Sequence, residues 1–405
     1  MATGAQAAPD PRLSGARAAP KKAIRLSWSD PRVRSIVWQV LIVGAVGWVI
    51  WYLVSNTQRN LEIRKIATGF GFLWREAGLP IGESLIEYNP TDTYFRALAV
   101  GVLNTLKVAF IGCILATIFG TLIGIARLSK NWLLARIASV YVEVARDLPL
   151  LLQLLFWYVI FTALPGPRQA LNPVEGVFLS NRGLKFPLLE WQTAHSLALV
   201  LFLGGMVVTI LYSRRAAVVQ AATGVRPKVW PIGLASMVGM PILGWLALGA
   251  PWTWDLPALR GFNFQGGGLL SPEFMALLIG LVTYTAAFIA EIVRAGILSV
   301  HTGQWEASGA LGLSRGQSLR LIVLPQSLRV IIPPMTSQYL NLTKNSSLAV
   351  AIGYQDIVSI ANTTLNQTGQ AIEGIAIIML VYLTISLTIS FFMNWYNSRI
   401  ALKER

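Results

Sequence analysis

Charge is scarce in this chain. Of its 405 residues, 13% are Asp, Glu, Lys or Arg, about half the share of an ordinary soluble domain. A soluble enzyme is thereby excluded. Cysteine is down to Cys113 alone, so no internal disulfide can form, and its apolar surroundings read as a small core residue. The two histidines, His195 and His301, stand far apart, and no HExxH or CxxC pattern occurs. Zinc and redox chemistry have no ligand set to stand on. The phosphate-cradling pattern G-x4-G-K-[ST] is missing as well, so the chain cannot hold ATP by that device. What the chain has instead is hydrophobic residues, 54% of the total, gathered in blocks of about twenty, the length that crosses a bilayer as helix.

The blocks predict eight membrane spans, at roughly 36–54, 97–125, 138–164, 196–212, 230–248, 274–300, 330–342 and 375–395. The seventh is short and polar, broken by Pro333 and Pro334, and is kept because an even count returns both basic termini to one side. Residues 1–34 are rich in Ala, Pro and basic residues and read as a disordered tail. The first block is too long for a signal-peptide core and reads as an uncleaved anchor. With the N-terminus inside, Lys and Arg number 21 in inside segments and 8 in outside segments. The net charge of +15 is then the excess expected of cytoplasmic loops rather than a nucleic-acid footprint. Of the outside loops, 55–95 reads as a short interfacial helix, while 165–195 and 249–270 are rich in Pro, Gly and Trp. The expected architecture is an all-α integral membrane protein with both termini cytoplasmic.

One inside segment has more structure than the rest: SVHTGQWEASGALGLSRGQSLRLIVLP, 299–325. Thr302 suits the N-cap of a short helix through Leu311, and Gly312 suits its C′ position with φ > 0. Ser314 and Gln317 form an S-x-x-Q capping box for a second helix, which Pro325 is expected to stop. Trp305, Ala307, Ala310, Leu311 and Leu313 give this elbow an apolar side, with Glu306 and Arg315 as charged points for a partner.

Glu306-Ala307-Ser308, three residues, Gly312, nine residues, Ile322, one residue, Leu324-Pro325 resembles the EAA loop of importer-type ABC permeases, E-A-A-x3-G-x9-I-x-L-P. Ser308 for the second Ala is the one departure. Further stretches are similar to the polar-amino-acid branch of that family (the histidine, glutamine and glutamate-aspartate type). These are Asn104-Thr105-Leu106-Lys107 with Gly124-Ile125-Ala126-Arg127, Tyr141 to Gln153, Glu291 to Ile297, and Lys344-Asn345-Ser346-Ser347-Leu348. Ala145 and Asp147 depart from the branch's usual residues.

The resemblance implies a five-helix type I importer core over 95–164 and 271–398. The chain then divides into a tail 1–34, a first span and outside loop 35–94, a first core segment 95–164, an insert 165–270 with two extra spans, a second core segment 271–398 and a tail 399–405. The implied activity is that of a permease subunit for polar or general L-amino acids in the bacterial inner membrane. Implied partners are an ATPase docked on Glu306, Ala307, Ser308, Gly312, Leu313, Ser314, Ile322, Leu324 and Pro325, a second permease core (related or self) and an extracytoplasmic amino-acid-binding protein. ATP would be used by the ATPase, with no cofactor bound here.

Polar groups at membrane depth are costly unless they face a cavity or a partner. Glu291, Arg294, Asn341 and Lys344 are therefore candidates for the translocation route, although Glu291 and Arg294, spaced i, i+3, can simply pair. Lys107 lies near the outer end of its block and can snorkel, and Gly120-x3-Gly124 permits close helix approach. The alternative is an ion-coupled secondary transporter. It needs acidic relays at span centres, and none is found there.

Overall fold

The computed structural model describes residues 31–63 and 68–400. The tail reading for 1–30 and the last residues, 401–405, lie outside the described residues. The chain divides at residue 68 into two compact units. Among the described residues the first contains one helix, α1 (Pro31–Ile63), which starts before the expected anchor and runs past it. Trp38, Trp48 and Trp51 are exposed along it, and a helix that is apolar all round is one that lipid solvates.

The second unit opens with a strap, 69–93, that has a single 3-10 turn at Phe70–Trp74 where an interfacial helix was expected. Phe72, Ala77 and Leu79 bury its apolar side. Next comes α2 (Tyr94–Ala126), capped by Thr93. The expected third span is a broken pair, α3 (Trp132–Asp147) and α4 (Leu150–Thr162), bent by 105°. Pro149 causes the corner. It offers no N–H to α4 and holds Leu148 in extended backbone, φ −84° and ψ 130°. Asp147 is thus at a bend rather than inside a continuous span.

The all-α expectation needs amending between α4 and the sixth expected span. Strands β1 (Leu171–Val174), β2 (Val177–Ser180), β3 (Gly183–Phe186) and β4 (Leu188–Leu189) follow α4. A helical hairpin comes next, made of α5 (Thr193–Thr223), α6 (Trp230–Leu234) and α7 (Met240–Ala247). Then come β5 (Trp254–Asp255), β6 (Ala258–Arg260), β7 (Asn263–Gln265) and β8 (Gly268–Leu270). The strand order β1-β2-β3-β8 stitches the two loops into one antiparallel cap, with Leu184 opposite Leu270 and Phe178 stacked on Phe264 at 4.5 Å. Strands of two to four residues carry no alternation that a sequence reading could detect.

The chain then forms α8 (Pro272–Leu298), α9 (Thr302–Ala310), α10 (Arg315–Ser318), α11 (Leu324–Asn345), α12 (Ile357–Thr368) and α13 (Ala371–Ile400). Wide π turns join α6 to α7 at Ala235–Gly239 and α10 to α11 at Leu319–Val323. Each π turn ends two residues before a proline, Pro241 or Pro325. The same cause serves both: a proline ring clashes with the carbonyl four residues back and leaves it without a donor, and a wider turn moves that carbonyl aside. Pro325 therefore does not stop the helix as expected. Six described helices are long and apolar enough to span a membrane, seven if the bent pair is one span. The polar α11, with Pro333 and Pro334 inside it, is not among them, so eight spans are not established.

The central helix is α8. Leu277, Leu281, Ala286, Ile289 and Ala290 are fully buried on it, and α2 lies against it through Gly120 and Gly124. A Cβ on Gly120 would meet Ile289 at 2.6 Å, and one on Gly124 would meet the Ala290 carbonyl at 2.7 Å. The GxxxG spacing is thus realised as a packing face. Ion pairs close both ends of this helix pair. Lys107 of α2 meets Glu83 of the strap at the end carrying the β cap, and Arg127 meets Glu291 of α8 at the other. Lys107 and Arg127 stand 20 positions apart, about 30 Å of helix and the thickness of a hydrocarbon core. Lys107 is paired rather than snorkelling. Gly120→Val should force α2 off α8 at a cost of about 1–3 kcal/mol, read as a lower thermal unfolding temperature in detergent; an unchanged temperature would contradict the close contact.

Candidate functional site

The segment between α8 and α11 is built in three steps. Only Ser299, Val300 and His301 separate α8 from α9. His301, not Thr302, is the N-cap, its Nδ1 accepting from the Gly303 N–H at 3.0 Å. At the far end of α9 the Leu311 N–H donates to the Ala307 carbonyl at 3.1 Å and the Leu313 N–H to the Ser308 carbonyl at 3.1 Å. Gly312 makes this turn possible at φ +76°, in the left-handed region where a side chain is strained. The Ser314–Gln317 box forms as expected. The Ser314 Oγ accepts from the Gln317 N–H at 3.4 Å and the Gln317 Oε1 from the Ser314 N–H at 2.9 Å. From Arg315 the backbone stays helical, through the π turn, to Asn345.

Side chains sort into two faces that differ from the expected single apolar side. Trp305, Leu313 and Ile322 are half-buried against the protein, and Ser308 is 1% exposed. The Ser308 hydroxyl donates to the Trp305 carbonyl at 2.8 Å, which explains how Ser replaces a second Ala without an unpaired polar group. Glu306, Ala307, Ala310, Leu311, Arg315, Leu324 and Pro325 face outward, with Leu311 78% exposed. This exposed face thus carries an apolar side chain, Leu311, together with the charged Glu306 and Arg315. Gln326 Nε2 reaches Gln304 Oε1 at 3.3 Å and braces α9 against α11.

Behind this elbow sits a polar cluster that sequence reasoning saw incompletely. Arg294 Nη2 donates to Glu291 Oε1 at 2.7 Å, the expected i, i+3 pair. A second guanidinium, Arg127 at the end of α2, also pairs with Glu291, and its Nε reaches Ser139 Oγ of α3 at 3.4 Å. The Arg127 guanidinium thereby joins the end of α2 to both α3 and α8. Asn341 and Lys344 are not brought to this cluster. They lie on α11 in an exposed stripe with Val330, Pro333, Pro334 and Ser337, repeating every three or four residues and so sharing one helix face. Among the described residues Lys344 has no ion pair.

These features define a polytopic membrane protein with a hydrogen-bonded elbow at one end of its helices. The model of the family described as "Binding-protein-dependent transport system inner membrane component" matches residues 232–402. The chain is 50% identical to YhdX of Escherichia coli (strain K12), over 94% of this chain and 97% of that one. It is 49% identical to the general L-amino acid transport system permease protein AapQ of Rhizobium johnstonii, over 95% and 96%. It is 44% identical to the glutamate/glutamine/aspartate/asparagine transport system permease protein BztB of Rhodobacter capsulatus, over 95% and 98%. The chain belongs to this family of ABC importer permeases, inner-membrane components of binding-protein-dependent transport.

Glu291→Ala should leave two guanidinium groups without their carboxylate. Because Glu291 and Arg294 are about a third exposed, we expect a loss of about 1–2 kcal/mol, below the cost at a fully buried pair. Thermal unfolding of the purified protein measures it, and a variant as stable as the parent would contradict the tie.

Proposed function

We propose that this chain is the permease subunit of an ATP-driven importer for polar or general L-amino acids in the bacterial cytoplasmic membrane. The names of relatives about half identical along nearly its whole length support the substrate class. Both termini and the elbow 299–325 face the cytoplasm, as the Lys and Arg distribution favours. A separate ATPase docks on the exposed elbow face through Glu306, Ala307, Gly312 and Leu311, with Leu313, Ser314, Ile322, Leu324, Pro325 and buried Ser308 shaping that face. Hydrolysis belongs to that ATPase. A second permease chain, related or identical, completes the pore, and an extracytoplasmic amino-acid-binding protein delivers the substrate. The observation that carries this reading is the elbow itself: a protruding apolar knob continuous with α8 on one side and α11 on the other, so a push on it must move both helices.

The route for substrate follows the stripe of α11. Asn341 and Lys344 expose polar groups on a helix that otherwise sits among membrane spans, which is tolerable where the face lines a cavity or meets a partner. Glu291 and Arg294 lie nearer the elbow, and their mutual pairing makes them the wall of the route at that end.

Two experiments follow. Copurification should bring down an ATPase with the parent chain. Gly312→Val, which strains a left-handed residue, and Glu306→Lys, which reverses a docking charge, should insert normally, release or uncouple the ATPase, and cut uptake at least tenfold, about 1.4 kcal/mol or more of lost docking. Wild-type uptake with the ATPase retained in both variants would contradict the docking assignment. Lys344→Ala should lower amino-acid uptake while leaving the assembled complex intact on size-exclusion chromatography; unchanged uptake would remove Lys344 from the route.

A further inference from the structure

We propose that Glu83 is a positioning residue for translocation, the hub of a latch that staples the strap to α2 and α8 at their cap end. The proposal rests on the importer reading above.

The paired polar atoms of Glu83 reach both α2 and the start of α8. Its carboxylate meets the Lys107 ammonium of α2 and accepts from the Ser271 hydroxyl at 2.7 Å. Ser271 is the N-cap of α8, its Oγ accepting from the Phe274 N–H at 3.1 Å. The Glu83 backbone carbonyl accepts from Asn104 Nδ2 of α2 at 2.9 Å, and the same amide group donates to the Gln355 carbonyl at 2.9 Å. Gln355 in turn accepts from the Gly82 N–H at 2.7 Å and donates to the Pro80 carbonyl at 2.8 Å. The Lys107 ammonium is also 4.2 Å from the centre of the Phe274 ring. The Lys107 and Glu83 side chains are 14% and 13% exposed.

A pair this shielded cannot be read as a solvated surface bridge. Nor is a shielded pair an efficient source of stability, since apolar groups of the same size often serve better. What it supplies is a fixed register. The strap has an apolar anchorage where Phe72, Ala77 and Leu79 lie against Ile357, Ile360 and Ala361 of α12, a polar one at Glu83, and flanking hydrogen bonds from Gln355 to Pro80 and Gly82 and from Arg96 to the Glu87 carbonyl. Residues 80–83 have no helix or strand of their own, so removing the Glu83 carboxylate contacts loosens this end of the staple, leaving it on the Gln355 hydrogen bonds while the apolar end holds. With both in place α2 and α8 cannot slide past each other at the cap end, and motion delivered at the elbow reaches that end undiminished.

The test uses the full chain assembled with its ATPase in lipid nanodiscs for hydrogen exchange, and in proteoliposomes with binding protein for uptake of radiolabelled L-glutamate and L-glutamine. Lys107→Met and Glu83→Gln should each raise exchange over 78–90 by about tenfold or more. They should lower the maximal uptake rate several-fold while KM for the loaded binding protein stays within about twofold. Lys107→Arg, which keeps charge and reach, should restore both readouts. Parental exchange in both charge-removing variants overturns the latch. Raised exchange with a parental maximal rate overturns the positioning role and leaves Glu83 as packing. If the unaltered chain drives no uptake at all, the importer reading falls instead, and the exchange measurement still decides whether the strap is latched.

Discussion

A charge carried into hydrocarbon must be paired or brought to a surface, and this constraint frames the molecule. Lys107 of α2 and Arg127 at its C-terminal end sit 20 positions apart. On α8 the polar residues Ser271 and Glu291, which face the same two clusters, have the same separation. Between Lys107 and Arg127 α2 carries no charged residue for about 30 Å, and α8 carries none between Glu273 and Glu291. The two clusters hold α2 and α8 in register, and the close approach at Gly120 and Gly124 depends on that register, because a shift of one residue would turn the glycines away from Ile289 and Ala290. In a bilayer, where lipid is as apolar as a leucine, such close contact and such polar ties take over the work that water does for a soluble core.

The elbow inherits its stiffness from this pair. It leaves α8 two turns past Glu291 and returns into α11 without a break in helical backbone. The π turn before Pro325 lets a proline sit inside a transmitting helix without interrupting it, and the matching turn before Pro241 shows the device used twice in one chain. Ser308 and the Gln304–Gln326 contact fix α9 from behind, leaving Leu311 and Glu306 to face outward. Sub-ångström displacements at such a surface can be amplified only if what stands behind it does not yield.

Much of this was legible in the sequence, and what was not has physical reasons. The elbow could be read because its determinants are local: a glycine that must be left-handed, a capping box three residues long, and a motif whose spacing is fixed by one short helix. The Glu291–Arg294 pair was legible for the same reason. The Arg127 tie was not, because its partners are 164 positions apart and nothing in either neighbourhood announces the other. Glu83 escaped for a related reason, as its partners Lys107 and Ser271 are distant in sequence and its segment reads as an interfacial helix rather than an anchored strap. The β cap was missed because its strands are too short to alternate and its key pairing joins Leu184 to Leu270 across a helical hairpin. Pro325 and Pro149 show that one local rule can have two outcomes. Both residues deny an N–H and crowd a carbonyl, yet one is absorbed by a wider turn and the other makes a 105° corner. At Pro149 the preceding Leu148 takes extended backbone, whereas at Pro325 the preceding Leu324 stays helical, one position after the fully buried Val323.

The central claim is that α2 and α8 form one spine from cap end to elbow. It is tested most directly by pulsed electron spin resonance between labels at Phe95, exposed at the cap end of α2, and Ala295, exposed near the elbow end of α8, in the assembled transporter with and without ATP. The account predicts one narrow distance distribution that is the same in both states. A shift approaching one helical turn, about 5 Å, would mean that the two helices slide, and would contradict it.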